Sequence, residues 1–237
     1  GKILSNFLLL RYLKKIFYNS VAELRIIRVL LFVLLVVGTT SAMIAQDNDF
    51  ATWTKFKVNH KIDSRFAVSG DLELRTEDDM SAIDRWGISV GGDYRAFSFL
   101  KFEIGYETHY RNLGEIGWKF RHRYRIGATA SFRYQWLKMS LRERFQQTFD
   151  RGESETRLRS RLKLGYAPQK GIVSPYFSIE IYQSLDDAPF WRTARLRYRP
   201  GIEIDLTKRW SLDAFYCYQY ESSRGKHIAG VEVGYSF

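Results

Sequence analysis

The chain has 237 residues, 16% of them aromatic and 27% charged, with a mean hydropathy of -0.31. That balance is too polar for a bundle of membrane helices and suits one substantial domain. The formal charge of +11, from 37 basic and 26 acidic residues, is spread along the chain rather than gathered in a patch, which argues against nucleic acid as a partner. The single cysteine, Cys217, excludes an intrachain disulfide and any multi-cysteine metal site.

Residues 1–45 read as a leader. Residues 29–37 are a continuous apolar run behind Arg25 and Arg28, and small residues follow up to Ala42 and Ala45. A basic flank, a short apolar core and a small-residue exit are the parts of a secretory signal. The run is shorter than the roughly 20 residues a spanning helix needs. Cleavage after Ala45 or after Ala42 is expected, and no cysteine follows closely enough for a lipid anchor. Residues 1–24 are long for a charged leader, which places the expected start further along. Without the six basic residues and one acid of residues 1–45, 31 bases face 25 acids, a net of +6.

From residue 46 onward the expectation is one barrel domain, 46–237. Segments of about ten residues alternate apolar and polar, as strands do when one face meets lipid and the other an aqueous interior. Eleven segments carry the pattern: 50–60, 65–75, 85–96, 100–111, 118–131, 137–149, 156–166, 175–184, 191–204, 210–221 and 226–237. Helical periodicity fails, because charges at every second position would encircle a helix. The sequence therefore predicts an all-β, single up-and-down antiparallel transmembrane barrel. Membrane barrels of one chain have an even strand number, so ten or twelve strands are expected: either a strand is missing from the eleven, or one of them is not transmembrane. The breaks at 76–84, 112–117, 150–155, 185–190 and 222–225 look longer and more polar than the others, which assigns them to the exterior.

Arginine rows mark the polar parity: Arg121, Arg123 and Arg125, then Arg157, Arg159 and Arg161, then Arg195, Arg197 and Arg199. Facing lipid they would cost about 2–4 kcal/mol each near the midplane, so they are expected in the lumen. Their expected partners are Asp71, Glu73, Asp93, Glu103, Glu107, Glu180, Glu203, Asp213 and Glu221. Two readings stand: a packed ion-pair network, since small barrels have interiors that side chains fill, or a narrow pore or pocket selecting anions. Trp53, Trp86, Trp118, Trp136, Trp191 and Trp210 all lie near strand ends and are expected in the aromatic girdles. Of the four histidines, only His109 shares the lumen parity beside a carboxylate, Glu107. It is the one candidate for an outer-membrane enzyme acting on lipid or peptide. No nucleophile elbow, zinc-binding His motif or phosphate loop occurs, and no cofactor or metal is expected.

The last segment places Ala229, Val231, Val233, Tyr235 and Phe237 on one face. It resembles the terminal strand by which outer-membrane proteins are recognised for barrel assembly, which makes that machinery and the lipid bilayer the expected partners. Asp49 to Phe56, Asp84 to Trp86, Arg121 to Tyr124, Leu158 to Leu164, Ser174 to Tyr176 and His227–Ile228 narrow the resemblance further. In order and spacing they are similar to the Gram-negative outer-membrane barrels grouped as domain of unknown function 2490, over nearly all of 49–237. The resemblance implies a fold and a place in the outer membrane, and no catalytic residues. A soluble periplasmic ligand-binding barrel is the remaining alternative. It requires the apolar rows to turn inward. The oligomeric state stays open.

Overall fold

A computed structural model describes residues 49–150, 152–166, 171–186 and 191–237. The expected signal segment lies outside them. Eleven strands follow one another: β1 (Asp49–Lys61), β2 (Phe66–Glu77), β3 (Ala82–Arg95), β4 (Leu100–Asn112), β5 (Trp118–Tyr134), β6 (Leu137–Asp150), β7 (Glu153–Tyr166), β8 (Val173–Ser184), β9 (Arg192–Asp205), β10 (Trp210–Glu221) and β11 (Arg224–Ser236). One 3-10 turn, Gly114–Ile116, precedes β5. Each strand pairs with the next, and the sheet closes into a barrel through β1 and β11.

The closure resolves the strand count. Consecutive strands are antiparallel, so an odd number leaves β11 running the same way as β1. These two pair in parallel, from Asp49 opposite Lys226 to Asn59 opposite Ser236. The expectation of ten or twelve strands is corrected to eleven. An even number is required only when every ladder is antiparallel, and one parallel ladder removes the requirement. Asp49 and Lys226 form an ion pair at one end of this seam. At the other end the Phe237 amide donates to the Asn59 carbonyl at 3.1 Å.

Parity sets the two faces. Leu72, Ile88, Val90, Ile104, Ile126, Leu141 and Leu162 point outward, with Ile104 63% exposed, whereas Glu180 at 2% and Arg197 at 4% are enclosed. This is the reverse of a soluble ligand-binding barrel, whose apolar rows fill its interior. The connections differ from expectation. Of the connections described throughout, those at 78–81, 113–117 and 222–223 share the end of the barrel that carries Asp150; 62–65, 96–99, 135–136 and 206–209 share the end that carries Phe237. These run from two to five residues at the first end and from two to four at the second, because β2 and β3 continue into the polar stretch 76–84. The contrast of long and short connections is therefore absent. Ser222 and Ser223 make a two-residue turn with φ of 49° and 65°, the left-handed pair that matches the twist of a hairpin.

Candidate functional site

The lumen is built from the inward parity of every strand, and its centre is Glu180 on β8. One Glu180 carboxylate faces four guanidiniums: Arg159 at 2.7 Å, Arg142 and Arg197 at 3.6 Å, and Arg161 at 3.9 Å. Arg159 Nη2 donates to both carboxylate oxygens, and the Tyr182 hydroxyl donates at 3.3 Å. Arg197 also reaches the Tyr182 hydroxyl. The neighbouring ladders β6–β7, β7–β8 and β8–β9 put these side chains at one height, since Arg161 opposes both Arg142 and Glu180, and Glu180 opposes Arg197.

Aromatic rings complete this waist. The guanidiniums of Arg75 and Arg197 lie 3.8 and 4.5 Å from the centre of the Trp53 ring, and Arg199 lies 3.4 Å from that of Phe215. Such contacts contribute about 0.5–2 kcal/mol each, more when dry. Trp53 also packs beside Ala51, Phe215, Cys217 and Ile228, an apolar cluster covering the parallel seam from within. Glycine makes room for the rings. A Cβ on Gly230 would fall 1.9 Å from the Phe215 ring, and one on Gly201 would fall 2.6 Å from that of Tyr176.

At mid-lumen the free space is about 70 Å³, bounded by Trp53, Arg75, Arg159, Glu180 and Arg197 among others. On either side it widens. Toward the Asp150 end lies a cavity of about 480 Å³, where nine arginines, among them Arg75, Arg121 and Arg195, face Asp150, Glu153, Glu155 and Glu221. Planar guanidinium forks are shaped to meet carboxylate and phosphate groups. Toward the Phe237 end a cavity of about 810 Å³ is lined by Lys57, Lys138, Arg161, Lys163, Glu203 and Asp213, with others.

The remaining row arginines also have defined partners. Arg121 pairs with Asp150 at 2.7 Å, Arg195 with Glu221 at 2.6 Å, Arg157 with Glu155, and Arg123 and Arg125 with Glu107 at 3.5 Å. Arg199 bridges Asp213 at 2.7 Å and Glu232 at 3.0 Å, and Lys163 holds Glu203 at 2.5 Å. Glu103 goes to Arg144 at 2.5 Å. Glu73 gathers Arg75, Arg85 and Lys55, with Asp71 3.7 Å from the same lysine, and Asp93 pairs with Lys101. Arg142, Arg144, Arg85 and Glu232 were not expected members. Their strands show the same alternation, so parity alone would have found them.

Two other expectations meet the structure here. Trp86, Trp118, Trp136, Trp191 and Trp210 are exposed, and rings cluster at both ends: Trp86 stacks on Tyr110 at 5.1 Å, and Trp210 packs on Tyr235 at 4.8 Å. Trp53 is corrected. It shares its parity with Lys55 and Lys57, and turns into the lumen rather than into a girdle. His109 is buried, its Nδ1 3.4 Å from Glu107 Oε1. At that geometry the two groups make no hydrogen bond. Nor does any group of three or more potential metal ligands occur among the described residues.

The family described as protein of unknown function (DUF2490) matches residues 50–228. Two solved structures are similar. The translocator domain of autotransporter NalP from Neisseria meningitidis is 16% identical, with 76% of this chain and 77% of that one covered and a TM-score of 0.47. The KdgM porin is 14% identical, with 76% and 89% covered and a TM-score of 0.46. No curated protein matches the chain.

Proposed function

We propose that this chain, which belongs to the DUF2490 family of proteins of unknown function, is a Gram-negative outer-membrane barrel whose basic lumen receives small anions and stops them at an ion-paired waist. The exposed apolar parity supports the location, since it forms the band that lipid requires, flanked by aromatic clusters at both ends. With the Phe237 end taken as the periplasmic one, the cavity of about 480 Å³ opens outward.

The observation that carries the reading is the sharing of Glu180. Four guanidiniums around one carboxylate leave a positive excess in a poorly solvated place, where unpaired charge costs several kcal/mol. Mobile anions entering from the outer cavity relieve that excess. The rings of Trp53, Tyr182 and Phe215 keep the passage tight, so the barrel is a receptacle before it is a channel.

Unfolding of the folded protein in lipid vesicles tests this, with inorganic pyrophosphate as the probe. Millimolar pyrophosphate is expected to raise the midpoint above that in potassium chloride of equal ionic strength, and glucose is expected to have no effect. The combined Arg123→Ala and Arg195→Ala variant is expected to lose the pyrophosphate response. An unchanged response in that variant, or none in the wild type, would overturn the proposal.

A further inference from the structure

Beyond the waist, the cavity of about 810 Å³ toward the Phe237 end sorts its charges by strand. Arg133 of β5, Lys138 of β6, and Arg161 and Lys163 of β7 line one arc, and these three strands bring the lining no acid. Glu203 and Asp205 of β9, Asp213 of β10 and Glu232 of β11 line another, and these strands bring it no base. β8 stands between the arcs with Ser174 and Tyr176. Lys57 of β1 is the one further base among the described lining residues. Five bases against four acids is close to balance, whereas the outer cavity sets nine arginines against four acids.

The two arcs are scarcely joined. Among the described residues, the one ion pair between them is Lys163 with Glu203, at 2.5 Å. Arg133 reaches the Gln135 carbonyl at 3.5 Å, and the exposed Lys138 and Asp205 stand in no ion pair among the described residues. Arg161 has its nearest carboxylate in Glu180 of the waist, 3.9 Å away, and Arg199 of the waist holds both Asp213 and Glu232. Opposite charges held apart on the walls of a confined space set a field across the lumen. A solute of one sign is attracted by one arc and repelled by the other, while a solute with both charges gains at both. Hydroxyls lie among the charges: Ser131 stands opposite Ser140, and Ser140 opposite Lys163. A hydroxyl both donates and accepts, which matches the N–H and C=O of a peptide group. The volume falls within the range of about 300–1,000 Å³ of small-molecule sites, room for a peptide of a few residues.

We propose that this inner cavity binds short zwitterionic peptides, the C-terminal carboxylate toward Lys138 and Arg161 and the N-terminal ammonium toward Glu203 and Asp205. The site is separate from the anion receptacle, since the two cavities share no lining residue and the waist stands between them.

Equilibrium dialysis of the folded full chain in detergent micelles, where both mouths meet solvent, tests this with radiolabelled trialanine. Trialanine is expected to bind about tenfold more tightly than N-acetyl-trialanine or trialanine amide, each of which lacks one charged contact. Lys138→Gln is expected to narrow the preference over the amide and keep that over the acetylated peptide. Asp205→Asn is expected to do the reverse. Both variants are expected to keep the heat-modifiable migration of the folded barrel, because neither side chain holds an ion pair. The combined Arg123→Ala and Arg195→Ala variant of the outer cavity is expected to bind trialanine as the wild type does, so this result stands apart from the pyrophosphate response. Absent binding of trialanine, equal binding of the three peptides, tighter binding of the purely anionic N-acetyl-trialanine, or loss of trialanine binding in the outer-cavity variant would each overturn the proposal.

Discussion

The waist and the outer rim use the same residue for different ends. At the waist four arginines divide one carboxylate, Glu180, whose side chain is 2% exposed. At the rim each arginine has its own wetter acid: Arg121 with Asp150, Arg195 with Glu221, and Arg157 with Glu155, whose side chain is 46% exposed. Ion pairs in water contribute little, about 0–1 kcal/mol, and exchange readily with solutes. A carboxylate surrounded by guanidiniums and sealed by Trp53 and Tyr182 does neither. The lesson is that arginine count does not define a pore; what matters is how many arginines share an acid and how dry they are.

The sharpest way to break this contrast is to delete the shared acid. Glu180→Ala is expected to destabilise the folded barrel by about 3–5 kcal/mol, the cost of stranding buried charge, read from urea unfolding in vesicles by tryptophan fluorescence. Asp150→Ala at the rim is expected to cost less than about 1 kcal/mol in the same assay. Equal losses at the two positions would erase the distinction between waist and rim.

Far from both lies a smaller electrostatic effect. Asp63, in the turn before β2, accepts the backbone N–H groups of Arg65 and Phe66 at 2.6 and 2.7 Å. These bonds hold its carboxyl below its ordinary value. A carboxyl whose value is lowered by folding contributes stability above the unfolded value of about 3.9 and loses it as pH falls through the lowered value. Asp63→Asn is therefore expected to flatten the acid limb of the stability profile slightly, leaving stability near pH 7 little changed. An acid limb identical in the two proteins would remove Asp63 from the account.

The strands were legible because parity is local: all eleven segments read from alternation reappear within a few residues. The strand number was misjudged for a physical reason. Evenness belongs to all-antiparallel closure, and the β1–β11 ladder is parallel. Trp53 was misassigned because a tryptophan near a strand end suits a membrane interface, although Lys55 and Lys57 on its parity already pointed inward. Membership of the lumen was readable along single strands. The convergence of Arg142, Arg159, Arg161 and Arg197 on Glu180 was not, because it depends on the stagger between four strands.

The account turns on whether the lumen is interrupted at Trp53 and Glu180. Planar-bilayer recording of the folded full chain measures that directly, beside Trp53→Ala, which removes the ring under Arg75 and Arg197. The account predicts a silent wild type and anion-biased conductance steps from Trp53→Ala. Steady anion-selective steps from the wild type would contradict it.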